Sequence, residues 1–182
     1  MQSLVITVVG PDRPGVVRTL SDTAAAFGAN WTDSVMANFA GQFAGIVHLQ
    51  ASTDHSAALQ AALRALDSDA LHVQVTLASA AAATTGQRQM ALELVGHDRP
   101  GIIHSIATRL AEHGVSIDKM KTHIASGAMS GEQMFHLEAQ LTIPQDLDTD
   151  QLQAGLEGLA NELMVDLSFV GSSGAGQTAT AG

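Results

Sequence analysis

One six-residue pattern occurs twice in this chain and restricts the folds open to it more than any other feature. Gly10-Pro11-Asp12-Arg13-Pro14-Gly15 returns as Gly96-His97-Asp98-Arg99-Pro100-Gly101, 86 residues later. Each copy follows an apolar run, Leu4 to Val9 or Met90 to Val95, and each precedes residues at helical spacing. A strand, a tight loop and a helix start form a unit with a chemical use, because the first amides of a helix have no partners within it and point towards the loop. Gly15 and Gly101 place no Cβ in the way of an anion there. Pro14 and Pro100 suit a first helical turn, and Arg13 and Arg99, each before a proline, are biased towards an extended backbone.

The rest of the chain repeats around that pattern. Leu4 to Val9 is β-branched and bounded by glycine, as a buried strand would be. Val16, Val17, Leu20, Ala24 and Phe27 form a helical stripe that Gly28 ends. Asn30 to Phe39 and Phe43 to Ala51 read as a hairpin around Ala40-Gly41-Gln42. A helix over Ser56 to Leu66 and an alternating strand through Leu71, Val73, Val75 and Leu77 complete the order βαββαβ. The second half supplies a strand over Met90 to Val95 and a helix with Ile102, Ile103, Ile106 and Leu110 that stops at Gly114, 86 residues after Gly28. Strands Val115 to Ala125 and Gln133 to Ile143 follow. Pairing His136-Leu137 with His48-Leu49, at an offset of 88, makes the second hairpin loop two residues longer, within Ser126 to Glu132. Asp148 or Thr149 caps a helix bearing Leu152, Leu156 and Leu159, and Leu163, Val165, Leu167 and Phe169 make the last strand.

These periods predict an α+β protein with two domains, 1–79 and 90–170, joined by a linker over 80–89 and followed by a disordered tail over 171–182. Domains of about 80 residues bury only roughly 60–65% of the surface they expose unfolded, so they are expected to pack on each other.

With βαββαβ twice and Gly-x-Asp-Arg-Pro-Gly at both first loops, the chain resembles a tandem ACT-domain protein of the glycine cleavage system transcriptional repressor family. The resemblance spans residues 3 to about 170 and rests on Val9 to Val17, Gly28 to Ser34 and Val95 to Ile103. It implies ferredoxin-like domains with antiparallel sheets paired side by side. It also implies an amino-acid site where the first loop of one domain meets the second strand of its neighbour.

Chemistry points to the same ligand class. An amino acid carries a carboxylate, suited to the amides around Gly15-Val16 or Gly101-Ile102, and an ammonium, suited to Asp12 or Asp98. Arg13 and Arg99 can meet the ligand carboxylate. Asn30 and Thr32, at the start of the second strand, offer an amide and a hydroxyl, where the second half offers Ser116 and Asp118. Structural readings stand beside these: Asp12 and Asp98 as loop caps, Arg13 and Arg99 as surface ion pairs, Asn30 as a turn residue, Ser116 and Asp118 as solvated side chains.

A formal charge of −10 with eight Lys and Arg supplies no basic stripe for nucleic acid. No apolar run approaches the ~18 residues that span a bilayer. The absence of cysteine leaves no disulfide framework or thiol nucleophile, and the eight histidines form no compact metal-ligand set. Neither a catalytic constellation nor a cofactor fingerprint stands out. The expectation is a cytoplasmic, non-enzymatic regulator without metal or cofactor, sensing an amino acid and acting through a protein partner, with no direct nucleic-acid or membrane contact. Glycine enters by resemblance alone. The alternatives are a ligand-free ACT interaction module and a regulatory subunit of an amino-acid metabolic enzyme. An exposed sheet edge also makes a homodimer an expected state.

Overall fold

The computed structural model describes residues 1–78, 87–126 and 132–171. It divides into two compact units, Met1–Ala83 and Thr84–Gly182. Most of the expected linker, much of the second hairpin loop with Met129, and the tail beyond Gly171 lie outside the described residues.

The first unit runs β1 (Gln2–Pro11), α1 (Val16–Ala26), β2 (Asn30–Phe39), β3 (Gln42–Ala51), α2 (Thr53–Arg64) and β4 (His72–Leu77). Its four strands form an antiparallel sheet in the order β2-β3-β1-β4, the ferredoxin-like arrangement. Alternation along β1 sends Leu4, Ile6 and Val8 into a core with Val16, Leu20, Leu49, Leu59, Leu63 and Val73, while Val5, Thr7 and Val9 face the other way. Ser52 caps α2 through a hydrogen bond from the His55 amide (3.3 Å), which starts that helix three residues before the expected Ser56. Ala40 and Gly41, with φ of 50° and 78°, make a two-residue turn, so Gln42 already pairs with Phe39 as the first residue of β3.

The second unit repeats the order with β5 (Gln87–His97), α3 (Ile102–Glu112), β6 (Ser116–Ser126), β7 (Gln133–Pro144), α4 (Thr149–Leu163) and β8 (Val165–Gly171). Its sheet order is β6-β7-β5-β8, and its core gathers Leu92, Leu94, Ile102, Ile106, Leu110, Leu137, Leu141, Leu152 and Leu156. Gln87, Arg88 and Gln89, expected in the linker, open β5, where they pair with Pro144, Ile143 and Thr142. Gly171, expected in the tail, closes β8 opposite Met90. Leu163 ends α4 instead of opening the last strand; Met164, at φ 53°, makes the left-handed turn between the two.

The hairpin offset also needs correction. Gly10 pairs with Phe43 and Gly96 with Phe135, so the strand after the hairpin is displaced by 92 residues where the strand before it is displaced by 86. The second hairpin is therefore six residues longer, and the partner of His48 in the repeat is Gln140, not His136. Offsets of 88 and 92 leave every side chain on the same face. An alternating pattern fixes parity and leaves register to the turn.

In each unit the edge strand after the first helix carries a bulge at the same place, Thr32 in β2 and Asp118 in β6. Among the described residues no helix is long and apolar enough to cross a membrane.

Candidate functional site

Both first loops begin with a glycine that is required by packing. A Cβ on Gly10 would lie 2.6 Å from the Ala70 carbonyl oxygen, and one on Gly96 would lie 2.3 Å from Val165 Cγ1. The chain can cross there only without a side chain. The next elements fix the loop from the opposite side. The Asp12 amide donates to the Gly41 carbonyl (2.8 Å) and the Asp98 amide to the Gln133 carbonyl (3.1 Å), tying each loop to the hairpin of its own unit.

Gly15 and Gly101 are the helix N-caps, at φ 98° and 96°, with empty space where a Cβ would stand. Pro14 and Pro100 thus stand one residue before the cap, not in the first helical turn. Neither cap uses a side chain, and neither first turn carries an acidic residue. The amides of Val16 and Ile102 therefore begin their helices beside an exposed loop, although the side chains of both are buried in the core. The Gly15 carbonyl is occupied, accepting from the Thr19 amide (2.9 Å) and hydroxyl (3.0 Å).

Arg13 is exposed and Arg99 half-buried, and neither guanidinium has an ion-pair or hydrogen-bond partner among the described residues. The surface ion pair expected of them is absent there. Arg13, Pro14, Gly15, Val16 and Thr19 line an open cleft of about 340 Å³ with Leu66 and Leu71. Asp12 is exposed, and its carboxylate accepts from the side-chain amide of Asn38 near the end of β2. Sequence reasoning missed Asn38; the signal lay in the hairpin register, which places Asn38 opposite Phe43 and hence beside Gly10. In the second unit that strand position holds Ile124, opposite Phe135.

The strand-start residues lie elsewhere. Asn30 pairs with Gln50, which pairs with Ser3, so Asn30 and Thr32 stand at the end of the sheet remote from Asp12 within their own unit. Ser116 and Asp118 are placed likewise, next to Thr142 and Leu141 at the far end of β7. Both bulge residues are held by the facing strand. The Thr32 hydroxyl donates to the His48 carbonyl (3.0 Å) and lies 2.8 Å from His48 Nδ1. Asp118 accepts from the Thr142 hydroxyl. Among the described residues no group of three or more metal-ligating side chains occurs.

Two family models, each described as the ACT domain, match residues 2–77 and 90–152. The chain belongs to the ACT-domain family. It carries two ACT domains in tandem, and solved structures resemble the chain over most of its length. An unknown protein from Galdieria sulphuraria is 26% identical, with 93% of this chain and 98% of that one covered and a TM-score of 0.78. A proposed glycine cleavage system transcriptional repressor is 22% identical over the same shares of the two chains, with a TM-score of 0.66. No curated protein sequence matches the chain. The ACT fold accounts for the shared helix starts and sheet orders; within the two loops only Pro11 and His97 differ, and beside them Asn38 stands where the second domain has Ile124.

Proposed function

We propose that the chain is a non-enzymatic, amino-acid-sensing regulator that acts from the cytoplasm through a protein partner. One observation carries this reading: in each unit a helix start without a side-chain cap and a guanidinium with no ion partner among the described residues stand on the same loop as an exposed aspartate. Helix amides and guanidinium suit a carboxylate, and the aspartate suits an ammonium one Cα away. Anion binding at a helix end contributes ~0.3–1 kcal/mol and charge-assisted hydrogen bonds roughly 1.5–3 kcal/mol each, before association costs. Two or three such contacts give dissociation constants on the order of micromolar to millimolar, the range of a metabolite sensor.

Glycine is the ligand we favour, by likeness to the repressor named above. The acidic chain lacks a basic stripe, so any control of transcription runs through a partner that binds DNA. A second reading, a module that docks partners without a ligand, draws on the helix-free face of the first sheet, where Val9, Val35, Phe39 and Ile46 are exposed.

The deciding experiment is the thermal midpoint of the purified chain against each common amino acid, with Asp12→Ala and Asp98→Ala in parallel. A ligand at ~100 times its dissociation constant adds about 2.7 kcal/mol to the folded state. A selective rise lost in one variant identifies sensing and the working loop. No rise with any amino acid well above millimolar removes the sensor reading and leaves the docking module.

A further inference from the structure

The two copies differ in chemistry on the sheet face that no helix covers. In the second unit the β6–β7 register sets His123 directly opposite His136, and their rings stack with centroids 4.7 Å apart and planes 6° from parallel. The same register position in the first unit holds Ala37 opposite Ala44. The fold accepts two methyl groups there, so the sheet itself does not require the imidazoles. His123 is exposed and His136 half-buried, and neither has a hydrogen bond or ion pair to any described residue. Four ring nitrogens are thus left without partners among the described residues.

We propose that His123 and His136 form a two-imidazole site for a divalent transition-metal ion of the copper, nickel and zinc class. Directly opposed strand residues hold their Cβ atoms about 4.5–5.5 Å apart. One ion with bonds of roughly 2.0–2.1 Å to a nitrogen of each ring closes that span once the rings tilt towards each other. Imidazole selects this class over magnesium and calcium, which take oxygen ligands. Glu138, two residues beyond His136 on the same face, and Glu93 opposite it add negative charge nearby, and Lys121 opposite Glu138 offsets part of it. With no third ligating group clustered among the described residues, water completes the coordination. The ion therefore exchanges readily, and Cu²⁺ binds more tightly than Zn²⁺.

The test is calorimetric titration of the full chain, free of any polyhistidine tag, with CuCl2 and with ZnCl2 alone. The expected result is one site per chain, tighter for copper, with His123→Asn and His136→Asn each weakening binding at least tenfold. Both substitutions fall at solvent-facing positions, and circular dichroism verifies that the variants fold. Histidine-ring NMR with Zn²⁺ gives an independent readout, with shifts expected at His123 and His136. Absence of binding up to millimolar metal, undiminished binding in the double variant, or ring shifts confined to other histidines would overturn the proposal.

Discussion

At Gly15 the backbone has φ 98° and ψ −7°, and at Gly101 φ 96° and ψ −6°, whereas the strand position that supplies Asn38 to Asp12 supplies Ile124 in the second unit. The two loops therefore share a main chain and differ in the side chains around it. The open sheet faces differ in the same way. Val35 and Ile46 pair across the first, where Lys121 and Glu138 pair across the second. Gly10 and Gly96 fix the path of the chain through steric exclusion, and Gly15 and Gly101 through a positive φ that a side chain strains. The surrounding positions carry no such restriction, so one copy can diverge in chemistry while the fold persists.

The strongest way to break this account is to attack the glycines that both copies share. Gly96→Ala forces a Cβ to within 2.3 Å of Val165 Cγ1, and Gly10→Ala to within 2.6 Å of a carbonyl. Each is expected to destabilise its own unit by about 2–3 kcal/mol, as overpacking does, read from urea midpoints. A loss below about 0.5 kcal/mol in either would show that the close approach is not restrictive. Gly15→Ala and Gly101→Ala have room for the methyl group but place it at positive φ. Both are expected to cost about 1–2 kcal/mol, by nearly equal amounts, since the strain lies in the backbone they share. Unequal costs would mean that the two helix starts are held differently.

The smallest effect is expected at the point of difference. Asn38→Ala removes an exposed hydrogen bond to Asp12, with a loss on the order of 0.5 kcal/mol in thermal unfolding. Ile124→Asn offers Asp98 the corresponding amide, and any amino-acid response of the two loops should become more alike. If the responses diverge further, the Asn38 contact is not what separates the copies.

Much of the architecture was legible because the signals that carry it are local. Apolar alternation marked the strands, helical spacing marked α1 and α3, and Gly28 and Gly114 marked where those helices stop, both at positive φ. What escaped depended on contacts between distant residues. The 92-residue offset of β7 is set by pairing with β5, and a His-Leu dipeptide shifted by four residues satisfies the same alternation. Leu163 fits the period of the strand that follows it, yet Met164 makes its turn after that residue. Asn38, 26 residues beyond Asp12, meets the first loop only because the chain turns back at Ala40-Gly41.

The paired bulges at Thr32 and Asp118 have a further consequence. Among the described residues each sheet has a border strand of ten or eleven residues, β2 or β6, with one side unpaired, of the kind that recruits other chains into fibres. A kink two residues into each border spoils the straight template from which such growth starts, and Lys119 and Lys121 add charge along the second. These irregularities make β2 and β6 poor templates for growth of the sheet along those two edges.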